Sequence, residues 1–106
     1  LEAVRAKGSL LGTLLTEMAD KHDCIIGEAR GVGLMWGLEI VDEDNAPDAV
    51  KSNAIFDRAF AEQQLILRGS RYGYGNVVKV RPSLTATEDE IVEIVKRLDT
   101  VLTTLH

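Results

Sequence analysis

Residues 75–91 read Gly75-Asn76-Val77-Val78-Lys79-Val80-Arg81-Pro82-Ser83-Leu84-Thr85-Ala86-Thr87-Glu88-Asp89-Glu90-Ile91. A turn leads into a short strand carrying two cations, then a proline stop and the start of a helix. Side chains alternate along a strand, so Lys79 and Arg81 fall on one face while Val78 and Val80 fall on the other. Pro82 has no N–H to give a ladder and ends the pairing. Thr87 and Glu90 have the spacing of a capping box: the Thr hydroxyl takes the third helical N–H and the Glu side chain reaches back to the cap N–H. Glu88, Asp89 and Glu90 fill the first turn, where the helix dipole favours negative charge, and this accounts for the acidic cluster without catalysis. Ile91, Ile94, Val95, Leu98, Leu102 and Leu105 then recur on one helical face. Thr100, Thr103 and Thr104 are poor helix formers and predict a frayed end.

The pattern extends upstream. Leu11, Leu14, Leu15 and Met18 recur at helical spacing, with Leu1 and Val4 continuing the stripe backwards, so a first helix runs to about Asp20. Gly8 and Gly12 weaken that helix and allow another backbone to approach closely. Two strands, Cys24 to Ala29 and Leu34 to Val41, flank Gly31 and Gly33, and a hairpin is the simplest connection. Gly31, Gly33 and Gly37 do not have the dinucleotide-loop spacing, and a strand rather than a helix follows them. After a polar loop from Asp42 to Asp48, Pro47 suits the first turn of a second helix, with Ile55, Phe56, Ala59 and Phe60 on its apolar face and its end near Gln64. Leu65 to Arg68 reads as a short strand, and Gly69 to Gly75 as a loop. The order helix, two strands, helix, two strands, helix predicts an α+β fold: a small, mostly antiparallel sheet with helices packed on one side.

The 106 residues allow a single small domain. The net charge of -5 and seven scattered arginines argue against nucleic acid, which needs a basic face. No apolar run is long enough to cross a bilayer. The single Cys24 fits a reducing, cytoplasmic setting and reads as a buried structural thiol. His22 sits in a polar turn and His106 at the terminus, neither with ligands at zinc spacing. No serine or cysteine is accompanied by a base at nucleophile spacing.

Together, the 75–91 stretch and the run Arg30-Gly31-Val32-Gly33-Leu34-Met35-Trp36-Gly37-Leu38-Glu39 resemble the C-terminal small domain of class III, fold-type I aminotransferases that use pyridoxal 5'-phosphate (PLP), a family that includes ornithine, acetylornithine and 4-aminobutyrate aminotransferases. The order and separation of the two motifs match, and the resemblance covers nearly the whole chain. It implies a C-terminal piece of a longer enzyme, in keeping with a chain that opens on Leu1 within a helical pattern. The parent would move an amino group from an amine or amino acid to a 2-oxo acid by a ping-pong route, on the scaffold that related decarboxylases, racemases and phospho-lyases share. The partners implied are the large PLP-binding domain and a second subunit of a homodimer. In many members an arginine three residues before the proline grips the substrate carboxylate. Here that position is Lys79, a point charge without the flat fork of arginine. Lys79 is thus either the contact for a substrate anion or a solvated or interface cation. Arg81 either helps hold the anion or pairs with a carboxylate of the absent domain. Ser83 replaces a second proline, Arg30 is expected to hydrogen-bond the glycine turn, and Trp36 packs or covers a domain seam. The Schiff-base lysine lies upstream in the family, and none of Lys7, Lys21, Lys51, Lys79 and Lys96 has its context, so the chain alone is expected to bind no PLP and to be inactive. The other reading is a freestanding, non-catalytic binding or assembly domain.

Overall fold

A computed structural model describes residues 2–63, 68–69 and 75–105. Three helices, α1 (Glu2–Lys21), α2 (Ala49–Gln63) and α3 (Glu88–Thr104), cover one face of a sheet of four strands, β1 (Ile26–Val32), β2 (Met35–Ile40), β3 (Arg68–Gly69) and β4 (Val77–Val80). The spatial order is β1-β2-β4-β3 and every neighbouring pair is antiparallel, which is the α+β layer expected. The predicted strand over 65–67 and the loop carrying Tyr72 and Tyr74 lie outside the described residues, as do Leu1 and His106.

The alternation read from the sequence sets the two sheet faces. Val78 and Val80 are buried beneath the helices, alongside Leu38 and Ile40 of β2, while Lys79 and Arg81 are exposed. Leu11, Leu15, Ile55, Ile91, Leu98 and Leu102 close the core from the helix side, all without solvent exposure. Truncating one of these leucines to alanine costs roughly 2–5 kcal/mol. The strand β4 ends at Val80, one residue before the Arg81-Pro82 step. At its other end the Asn76 side chain donates to the Ile40 carbonyl (2.9 Å) and Ile40 N–H donates to the Asn76 carbonyl (2.7 Å). This buried clasp pins the start of β4 to the end of β2.

The hairpin turns over two residues between Val32 and Met35, which pair across it. Gly33 has φ +59°, the positive value that such a turn needs at its first central position. The side chain of Trp36 folds back, and its indole N–H donates to the Gly33 carbonyl at 2.9 Å. A Cβ on Gly12 would lie 2.6 Å from the indole ring, so the glycine lets α1 press onto the hairpin.

Several local expectations change. Asp48 caps α2, its carboxylate accepting the Lys51 N–H at 2.8 Å, and Pro47 stands before the helix in a bridge to Val41. Phe60 is exposed, because one step past buried Ala59 rotates about 100° around the helix axis. Ser52 takes the buried place instead. Cys24 is exposed and not a core thiol, since the turn after α1 leaves it outside and β1 begins only at Ile26. At the start of α3 the Thr87 hydroxyl accepts the Glu90 N–H (3.1 Å), a cap worth about 1 kcal/mol. The Glu90 carboxylate meets that same hydroxyl at 3.2 Å. The threonine-rich end of α3 is helical through Thr104, held by hydroxyl bonds back to the Lys96, Asp99 and Val101 carbonyls and by Arg58, which donates to the Thr104 carbonyl.

Candidate functional site

The sheet face opposite the helices carries the charged side chains singled out in the sequence. Register fixes their neighbours: Lys79 of β4 stands across from Gly37 of β2, and Gly37 stands across from Arg30 of β1. The next row joins Glu28, Glu39 and Val77. Gly37 has no side chain, so the row Arg30, Gly37, Lys79 leaves an open floor between two cations.

Lys79 and Arg81 together line a groove of about 220 Å³ whose other walls are Met35, Trp36, Gly37 and Val77. The structure thus brings both predicted site residues to one concavity. No described carboxylate forms an ion pair with either. Arg30 does otherwise: it reaches Glu28 (3.6 Å) and Glu39 (3.5 Å) and bridges the hairpin strands, where hydrogen bonds to the glycine turn were expected. The cation of β1 is therefore neutralised, while the two that line the groove meet no described carboxylate. A positive groove with apolar walls attracts an anion and orients it by charge-assisted hydrogen bonds.

A second polar site lies on the helix side and escaped the sequence reading. His22 is buried, not placed in a solvated turn, and its Nε2 lies 2.6 Å from Asp99 of α3. Lys21 donates to the other oxygen of the same carboxylate at 2.9 Å. Burial pushes the Asp99 carboxyl upward, but the hydrogen bonds from His22 and Lys21 and their charges outweigh it and hold the pKa below the usual 3.8. This is a clasp between α1 and α3, and Lys21 and Asp99 also line a shallow groove of about 320 Å³ between the two helices. The only sequence signal for it was an Asp within the apolar stripe of α3, with the partners 77 positions apart in the chain.

A PLP site needs a reactive lysine beside an acid for the ring nitrogen and a phosphate cup. Four of the described lysines do not offer that set: Lys21 is held by Asp99, Lys51 by the Val41 carbonyl and Asp48, and Lys7 by the Leu84 carbonyl, while the Lys79 groove has no acidic wall. No group of three or more metal-ligating side chains occurs among the described residues. No described helix is long and apolar enough to cross a membrane.

No family model matches the chain. Among curated proteins it is 35% identical over 107 residues to ethanolamine-phosphate phospho-lyase homolog 1 of Caenorhabditis elegans, covering 100% of this chain and 23% of the relative. It is 32% identical over 106 residues to acetylornithine aminotransferase of Rhodobacter capsulatus, covering 100% of this chain and 24% of the relative. The fold superimposes on an omega transaminase from Pseudomonas jessenii, solved in complex with PMP, with a TM-score of 0.79 and 30% identity over 96% of this chain and 22% of that one. The chain thus spans about a fifth to a quarter of the length of the proteins it matches. Full coverage by such relatives, joined to the same fold, shows that the chain belongs to the class III aminotransferase family, as one part of a member.

Proposed function

We propose that this chain is the C-terminal small domain of a PLP-dependent class III aminotransferase and that it closes one side of the substrate cleft. The parent enzyme moves an amino group from an amine or amino acid to a 2-oxo acid. Its cofactor and reactive lysine belong to a larger domain of the same polypeptide, and two subunits associate as a homodimer. PLP supplies the electron sink for the amino-group chemistry. This domain's own part is to bind and orient the anionic end of the substrate, with Lys79 as the principal contact and Arg81 beside it.

The observation that carries the reading is a lysine fixed on a strand, with no ion pair to any described carboxylate, in an open groove on the sheet face that the helices leave uncovered. The strand holds the position of the cation, and the apolar walls keep its field from being fully screened. Transaminases and a phospho-lyase homologue among the relatives support a substrate that carries both an amine and an anionic group.

Steady-state kinetics of Lys79→Ala in the intact enzyme test this. Loss of one charge-assisted hydrogen bond predicts a KM for anionic substrates raised about tenfold or more, with kcat changed far less. The folded state should persist, because Lys79 is exposed and buries no part of the core. Unchanged kinetics for every anionic substrate would remove Lys79 from the site.

A further inference from the structure

Resting on that reading of the groove, we infer that Arg30 is a positioning residue for Lys79: by holding the Glu39 carboxylate on the β1 side, it keeps that carboxylate off Lys79 and leaves the lysine open to the substrate anion. The sheet register gives Glu39 two cationic neighbours at equivalent places. Gly37 of β2 pairs with Arg30 of β1 on one side and with Lys79 of β4 on the other. Glu39 lies two residues further along β2, on the same face, and pairs with Glu28 and Val77. Arg30 and Lys79 are therefore its two diagonal neighbours, at a spacing of about 7–8 Å that long side chains span. Gly37 puts no side chain between them. The structure shows one of the two pairings: the Arg30 guanidinium reaches Glu39 at 3.5 Å, and among the described residues no ion pair joins Glu39 to Lys79. Glu39 is also not among the walls of the Lys79 groove.

Glu28 decides between the two cations. It stands directly across from Glu39, a like-charge pair that is unfavourable by itself. The planar Arg30 guanidinium has several N–H groups and meets both carboxylates at once, Glu28 at 3.6 Å through Nε and Glu39 at 3.5 Å through a terminal nitrogen. The Lys79 ammonium cannot do the same, because β4 lies two strand spacings from β1, about 9–10 Å. These are exposed pairs of modest strength, so Arg30 and Lys79 are close competitors for Glu39. Without Arg30, Lys79 is the remaining cation beside Glu39 in the register of β1, β2 and β4. Every Glu39–Lys79 pair that then forms must break before a substrate anion can take its place.

The test is steady-state kinetics of the intact parent enzyme with an anionic substrate, comparing the unaltered protein with Arg30→Met, Glu39→Gln and the two combined. Arg30→Met is expected to raise KM about fivefold with kcat nearly unchanged, the effect of one competing exposed ion pair. Glu39→Gln alone should leave KM as it was, and the combined variant should return KM to within about twofold of the unaltered value, because the competitor is gone. An arginine that serves only to brace the hairpin predicts the opposite, a loss that Glu39→Gln does not restore. A KM for Arg30→Met equal to that of the unaltered enzyme, or a raised KM that persists in the combined variant, would overturn the inference. Arg30→Gln serves as the second variant, with the same outcomes, should the methionine variant not accumulate as folded enzyme. Lys79→Ala in the same assay separates the two readings. A KM raised by Lys79→Ala but not by Arg30→Met leaves the anion contact standing and removes Arg30 from its support, and a KM moved by neither removes both.

Discussion

At the scale of single residues, glycine and lysine carry the site for opposite reasons. Gly12 matters because nothing is there: the Trp36 ring occupies the place of its side chain. Gly12→Val should therefore lower stability by about 1–3 kcal/mol, the usual cost of overpacking, measured by urea denaturation followed by far-ultraviolet circular dichroism. A variant as stable as the parent chain would mean that α1 can move off the hairpin at no cost. Lys79 matters because no described acid pairs with it. The facing of Lys79 and Arg81 was legible in the sequence, since strand alternation is strict. That neither pairs with a described acid was not. Whether a cation is paired depends on cross-strand register, and Arg30, equally charged and on the same face, turns out to be held by two glutamates. Cys24 shows the same limit: apolar neighbours at Ile25 and Ile26 suggest burial, but the turn that precedes them decides it.

At the scale of elements, the helices were readable to within a residue or two where a strong cap or stripe existed. Glu88 begins α3 as Thr87 requires, and the buried residues of α3 include Ile91, Val95, Leu98 and Leu102 from the predicted stripe, with Val101 added between them. The errors arose where two signals competed. In α2 a run of apolar residues ended in Phe60, yet the tertiary face is set by Ser52, Ile55 and Ala59, and the Ser52 hydroxyl is buried there without a described hydrogen-bond partner. The clasp between α1 and α3 was invisible because its partners are remote in sequence. It has a pH signature. A carboxyl whose folded pKa lies below its unfolded value contributes stability that is present above the unfolded pKa and is lost as pH falls through the folded one. The clasp should thus hold at neutral pH and weaken as pH drops below about 4. Asp99→Asn should cost roughly 1–2 kcal/mol at pH 7 and flatten the acid limb of stability against pH. Acid limbs that run parallel for the two proteins would show that Asp99 does not couple the helices.

At the scale of the whole molecule, element order was the most legible property, because helix and strand periods differ and the glycine and proline stops fall between them. The strand order β1-β2-β4-β3 was not, since the chain passes through α2 and β3 before returning to pair with β2. One sheet face is sealed by three helices and the other is charged and open, a division of labour that suits a domain meant to meet a larger body. The cofactor chemistry should then be absent from this part. Mixing the isolated chain with PLP should give no saturable, single-site lysine adduct by absorbance and mass spectrometry. A stoichiometric adduct at one lysine would contradict the assignment of the reactive amine to another domain. The seat of Trp36 has a practical outcome as well. It is the sole indole in the chain and lies between α1 and the hairpin tip, so its emission maximum is a built-in optical gauge of whether that helix is docked on the sheet.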